Sequence, residues 1–193
     1  MLTNSRCNKI KEMLDKDNYY KLTCKDFRIN CSINNDDNWS CGHAYNYTEL
    51  NIKPTFNHNI FNIDYLDFLV NEYGLDRDYV NYDYDNTVTL VVLLHEYGHS
   101  HRYNNMSQDE YYNSRMNTQF EYDLLKERMR ELFNKGEYNP IKHEIEYRRL
   151  DNEAYADRIA VEIVNKYGIQ LLSIIKGISQ KQIRLELSRR NRG

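Results

Sequence analysis

The sequence predicts an α+β domain, in which a small N-terminal sheet, antiparallel or mixed, precedes about five helices. Segments with partly alternating apolar and polar residues lie between about residues 20 and 54. From about residue 60 to 190, apolar residues recur at three- and four-residue spacing, as they do on one face of a helix. The chain has 193 residues and no repeat or linker, so we expect residues 1–193 to form a single domain.

The composition is typical of a soluble globular protein, with 40% hydrophobic and 28% charged residues. A formal net charge of −3 gives no reason to expect a nucleic acid as partner. No apolar segment approaches the about 20 residues that span a bilayer, and the first residues lack the apolar core of a signal peptide. We therefore expect a cytoplasmic protein without a membrane partner. We attribute the 18 tyrosines to AT-rich coding rather than to tyrosine chemistry.

All four cysteines, Cys7, Cys24, Cys31 and Cys41, lie in the N-terminal quarter of the chain. Buried or half-buried thiols are the preferred interpretation, because an intracellular chain keeps its cysteines reduced. Two disulfides are one alternative. A zinc knuckle that includes His43 is another, although it would lack the usual C-x2-C spacing.

The predicted elements follow from local patterns. Residues 4–17 predict an amphipathic helix, and two strand-like segments follow, KDFRINCSI and HAYNYTELNIK. The intervening NNDDN is typical of a hairpin turn, and Pro54 ends the second segment. Later apolar periodicity, together with capping signals, predicts five more helices. These cover NIDYLDFLVNEYG, about Asp85 to Tyr103, Ser107 to about Lys135, Asn139 to Gly168, and Ser179 onwards.

The segment VTLVVLLHEYGHSHRY, residues 88–103, places histidines and a glutamate in an otherwise apolar helix. It contains the pattern H-E-x-x-H, in which His95 and His99 share one helix face and can bind one metal ion. Glu96 is turned about 100° away, but it can reach a water in the open position of a zinc ion and act as general base. The alternative is a pair of core histidines with satisfied hydrogen bonds. Burying two imidazoles and a carboxylate without a partner is costly, which favours the metal.

A catalytic zinc requires a third protein ligand, and the later segment NEAYAD supplies Glu153. Asp157, one turn further on, can accept a hydrogen bond from the outer nitrogen of a liganding histidine and fix its tautomer. Small residues in both segments, Gly98 and Ala156 among them, permit a close approach of the two helices. The alternative for Glu153 is a solvated carboxylate that pairs with Arg149.

The motif H-E-x-G-H, followed by E-A-Y-A-D-R-I-A, resembles the gluzincin metallopeptidases. More narrowly, it is similar to the ImmA/IrrE group of small bacterial and phage metallopeptidases. The resemblance covers residues 85–103 and 150–164. It implies a minimal zincin-like domain that binds Zn2+ through the two histidines and Glu153, with Glu96 as the catalytic base. It also implies a protein or peptide substrate, such as a repressor protein.

No spacing identifies the group that would stabilise the oxyanion. Tyr155, His143 and Arg148 are the candidates. The chain departs from the ImmA/IrrE group at Tyr155, where a glutamate is frequent, and in the longer segment between the two motifs. The segment AYNYTELNI is the candidate edge strand that would align an extended substrate by β-augmentation, as in zincins generally.

Two other functions fit parts of the sequence. A SprT-like protease acting on DNA-bound proteins would require a third histidine and often a C-terminal zinc ribbon, and the chain has no cysteine after Cys41. A non-catalytic regulator, which keeps zinc for stability or for binding a partner, is the alternative from a different class. The sequence does not name the substrate, because peptidases with the same ligands differ in the shape of their pockets.

Overall fold

Helices form most of the described chain. A computed structural model describes residues 2–22, 26–31, 40–45, 47–52 and 61–190. Within these residues the strands are β1 (Asp26–Cys31), β2 (Ser40–Ala44) and β3 (Tyr47–Ile52). The helices there are α1 (Asn4–Leu14), α2 (Tyr65–Tyr73), α3 (Arg77–Tyr82), α4 (Tyr84–Arg102), α5 (Gln108–Asn134), α6 (Pro140–Arg148), α7 (Asp151–Lys176) and α8 (Gln180–Arg190).

The predicted fold class, α+β with about five helices after a sheet, is wrong, because the described residues form eight helices and only three short strands. The helix predicted from Asn139 to Gly168 is in fact two helices. The break between them contains neither glycine nor proline, and it occurs where Leu150 adopts an extended backbone with φ −57° and ψ 140°. Gly168 does not end α7; a Cβ atom there would come within 2.4 Å of the Tyr79 ring, so this glycine serves packing.

The three strands form one mixed sheet in the order β1-β3-β2. β1 runs parallel to β3, and β2 runs antiparallel to it. Because β3 has a partner on both sides, it offers no open edge, and the predicted role of AYNYTELNI as a substrate-aligning edge strand is wrong. The predicted hairpin turn NNDDN lies outside the described residues, and the strands before and after it pair with β3 rather than with each other.

One cluster of buried apolar side chains packs around α4 and α7. In α4, every residue from Thr87 to His101 except Glu96 is buried, so this helix is central. Cys7 lies in the same core. Cys24 lies outside the described residues, and so do the side chains of Cys31, Cys41 and His43, so the alternative zinc knuckle is not tested. None of the helices in the described ranges combines the length and apolar character that crossing a bilayer requires.

The backbones of α4 and α7 approach closely at Gly98. A Cβ atom at this position would lie 2.8 Å from the Cα atom and 2.8 Å from the carbonyl oxygen of Ala156. Because both of these atoms belong to the backbone, no rotation of a side chain would relieve the overlap. The glycine therefore allows the histidine-bearing face of α4 to lie directly against α7.

Replacing Gly98 by alanine is expected to lower the free energy of unfolding by about 1–3 kcal/mol through overpacking. It should also weaken zinc binding, since α7 must move away from the two histidines. Gly168→Ala is the matched control, because its Cβ would meet the Tyr79 ring 15 positions (168 − 153) beyond Glu153. Urea unfolding should show a loss of stability in both variants. Zinc titration should show a loss of affinity only in Gly98→Ala, and equal zinc affinities would contradict the role of this contact.

Candidate metal centre

His95, His99 and Glu153 meet in the interior between α4 and α7. The Nε2 atom of His95 lies 3.1 Å from Nε2 of His99 and 3.2 Å from Oε2 of Glu153. The Nε2 atom of His99 lies 3.6 Å from Oε1 of Glu153. All three residues are buried. Arg149, the alternative partner of Glu153, instead forms an ion pair with Glu72.

The three donors fit a zinc ion in both chemistry and spacing. Two imidazole nitrogens and a carboxylate oxygen are the ligands of known catalytic His2Glu zinc sites, which keep a fourth position open. In a tetrahedral site with bonds of about 2.0–2.1 Å, two ligand atoms lie about 3.3 Å apart. The observed separations of 3.1, 3.2 and 3.6 Å lie on either side of that value, and the last two join the histidines to different oxygens of Glu153, Oε2 and Oε1.

Asp157 supports His95 from the side opposite the cluster. The Nδ1 atom of His95 lies 2.7 Å from Oδ1 of the fully buried Asp157. In the neutral ring, Nδ1–H donates to this carboxylate, which leaves the lone pair of Nε2 for a metal; in the protonated ring, Nε2–H donates to Glu153 instead. Tyr65 of α2 donates its hydroxyl hydrogen to the same oxygen. The other oxygen, Oδ2, is buried and accepts no hydrogen bond from the described residues.

Asn152 of α7 contacts the outer nitrogen of His99, a contact that was not predicted from the sequence. The side-chain nitrogen Nδ2 of Asn152 lies 3.0 Å from Nδ1 of His99. As placed, Nδ2 donates to Nδ1 of His99, and Oδ1 accepts from the Tyr103 hydroxyl at 3.4 Å. A rotation of the amide by 180° would present Oδ1 to the Nδ1–H of His99 and leave the lone pair of Nε2 for a metal. The signal was present in the sequence, since Asn152 directly precedes Glu153 in NEAYAD.

Without a metal, the cluster is a buried ion pair. Burial by itself lowers the pKa of His95, but the charge and hydrogen bond of Asp157, together with Glu153, outweigh burial and raise this pKa to about 10. Burial raises the pKa of Glu153, but the hydrogen bond and charge of His95 outweigh it and hold the pKa well below its usual range. At neutral pH, the metal-free protein therefore carries an imidazolium at His95 and a carboxylate at Glu153.

Tyr122 and Arg148 also reach the carboxylates of the cluster. Tyr122 of α5 donates its hydroxyl hydrogen to Oε1 of Glu153, and its ring stacks on that of Tyr147 at a centroid distance of 5.8 Å. Burial, followed by the charge of Glu153, raises the pKa of Tyr122 above its usual value, so the hydroxyl stays protonated. Arg148, a predicted oxyanion stabiliser, lies with Nη1 3.9 Å from Oε2 of Glu153 and 3.8 Å from Oδ1 of Asp157.

The other two predicted stabilisers lie away from the cluster. The hydroxyl of Tyr155 lies 2.9 Å from Nδ1 of His101, on which its ring also stacks. His143 lines the groove between α5 and α6, and its ring centroid lies 5.9 Å from that of Tyr138. Glu96 is the one half-buried residue in the otherwise buried segment of α4.

The described chain is thus a mainly helical protein with a buried His2Glu donor set at the crossing of two helices. No protein-family model, no curated protein and no solved structure matches the chain. The resemblance to the gluzincins therefore depends on the quoted motifs and on the geometry of this cluster.

Asp157→Asn is expected to weaken zinc binding about 10- to 100-fold, because a neutral amide supports the His95 ring less well than a carboxylate. Asp151→Asn is the matched control on the same helix, since the side chain of Asp151 is 67% exposed and pairs with Arg102 outside the cluster. Competition against a chromophoric chelator measures both affinities. Equal affinities in the two variants would show that Asp157 does not support a metal ligand.

Zinc binding is expected to release about one proton at pH 7.5, because a bound imidazole must be deprotonated. The pKa of His95 in the metal-free protein is about 10, so the proton is present below that pH and has to leave. Zinc affinity should accordingly rise as the pH rises from 6.5 towards 10. Calorimetry in two buffers of different ionisation enthalpy counts the released protons. Binding without any proton release would contradict the charge state assigned to His95.

Proposed function

We propose that the protein is a zinc-dependent peptidase that hydrolyses peptide bonds in a protein or peptide substrate. The observation that carries this proposal is the convergence of His95, His99 and Glu153, whose ligand atoms all lie within 4.8 Å of one another. A repressor-type protein is the substrate that the resemblance to the ImmA/IrrE group favours. A cytoplasmic location is part of the same proposal.

In the proposed hydrolysis, the residues of the chain have separate roles. When bound, zinc supplies a Lewis acid that polarises a carbonyl and lowers the pKa of a water towards 7. Glu96 accepts the proton of the attacking water and passes it to the leaving amine. Asp157 and Asn152 hold the two histidine rings, and Tyr122 orients the Glu153 carboxylate through its hydroxyl.

The geometry favours this function over a SprT-like protease, which would require a third histidine where this cluster has Glu153. The non-catalytic regulator has an observation in its favour. β3 has no open edge, and two of the three candidate stabilisers, Tyr155 and His143, lie elsewhere, so part of the expected peptidase machinery is missing from the predicted positions.

Glu96→Gln is expected to retain zinc but to lower hydrolysis at least about 100-fold, because it removes the general base and leaves the ligands in place. Metal analysis of the purified protein and a casein or peptide-library assay measure the two effects. Glu153→Ala should lose stoichiometric zinc and activity together.

The outcomes separate the candidate functions. Undiminished hydrolysis by Glu96→Gln would refute the mechanism. Stoichiometric zinc in the wild-type protein, without cleavage of any library peptide, would favour the non-catalytic regulator. Zinc uptake that is the same in Glu153→Ala and in the wild-type protein would rule out the three-ligand site.

A further inference from the structure

Arg148 is a buried cation that faces the carboxylates of the candidate metal centre. Its side chain is only 8% exposed, and Nη1 lies 3.9 Å from Oε2 of Glu153 and 3.8 Å from Oδ1 of Asp157. The same Oε2 atom lies 3.2 Å from Nε2 of His95, one of the candidate ligand atoms. The guanidinium group of Arg148 and the imidazole of His95 therefore lie near the same oxygen of Glu153.

The guanidinium group is held in this position from several sides. Its central carbon lies 4.4 Å from the ring centroid of Tyr65 and 4.9 Å from that of Phe61, a cation–π arrangement that also excludes water. Its Nε donates to Oε1 of Glu144 at 3.2 Å, and the Glu144 side chain is itself 14% exposed. These contacts hold the guanidinium group beside the cluster.

We propose that Arg148 is a positioning residue that stabilises the metal-free cluster and opposes metal binding. In the metal-free protein it balances the negative charge of Glu153 and Asp157, which would otherwise be buried with too little compensation. Bound zinc adds positive charge beside the guanidinium group, and the interior screens this repulsion less than water does. The guanidinium group of Arg148 and a bound zinc ion would thus compete for the same carboxylates.

This inference rests on the metal centre of the proposed function but not on peptidase activity, so its test measures zinc binding. The affinity of the full chain for zinc is measured at pH 7.5 by competition with a chromophoric chelator. Arg148→Met removes the charge from a side chain of similar length and should bind zinc about tenfold more tightly than the wild type. Arg148→Lys is the matched control, because it keeps the charge and should bind within about twofold of the wild type.

A second variant is expected to weaken zinc binding instead of tightening it. Glu144→Gln removes the carboxylate that partly neutralises Arg148 but can still accept its hydrogen bond. It should therefore bind zinc about threefold more weakly. A purely structural role for Arg148 would predict weaker or unchanged binding in Arg148→Met, because loosened ligands do not gain affinity.

Stability provides an independent measurement. Without zinc, Arg148→Met should unfold at a lower urea concentration than the wild type. Added zinc should raise the unfolding midpoint of the variant by more than it raises that of the wild type. Unchanged or weaker zinc binding in Arg148→Met overturns the proposal. If this variant does not fold without metal, Glu144→Gln decides, and unchanged or tighter binding there overturns it. If the wild-type protein takes up no zinc, the metal centre itself fails, and this inference fails with it.

Discussion

At Gly98 the backbones of α4 and α7 come so close that one added methyl group would overlap the backbone of Ala156. The positions of the cluster residues follow from this approach, because the two histidines belong to α4 and Glu153 to α7. Packed helices ordinarily lie about 8–10 Å apart, a distance set by the side chains between them. Because Gly98 has no side chain at the crossing, the helices lie close enough for ligand atoms from both of them to meet. At Gly98, the close packing of the two helices thus coincides with the geometry that the proposed metal centre requires.

The same crossing concentrates charge where charge is costly. Two carboxylates, the His95 imidazolium and a guanidinium group lie together beside the cluster of apolar core side chains. Such a set is tolerated only when every member has a partner, since an uncompensated buried charge costs several kcal/mol. Here each charged group contacts one of the opposite sign, and tyrosine hydroxyls from α2 and α5 satisfy further carboxylate lone pairs. Elements distant in the chain are therefore joined through one polar network.

The members of the cluster could be predicted from the sequence because they obey short, physically strict spacings. His95 and His99 share a helix face, and Glu153 and Asp157 are separated by one turn, so each pair could be recognised locally. The fold class failed where no local signal exists. The break before Asp151 has no glycine or proline to mark it, and Gly168 resembled a helix end while serving contact with Tyr79. Tyr122 could not be selected among 18 tyrosines, because its partner is 31 positions away.

Two of the tyrosines, whose number we attributed to coding bias, are placed where their ultraviolet absorption depends on the cluster. Tyr65 donates to the carboxylate of Asp157 and Tyr122 to that of Glu153, so both phenols sense the charge of the cluster directly. A phenol that donates to a carboxylate absorbs at slightly longer wavelength than one that donates to water. A zinc ion at the proposed centre would attract negative charge from these carboxylates and so weaken the two hydrogen bonds. The near-ultraviolet absorption of the two tyrosines would then shift to shorter wavelength. Tyr65 and Tyr122 would therefore report zinc binding at the proposed centre, without a label or a coloured ion.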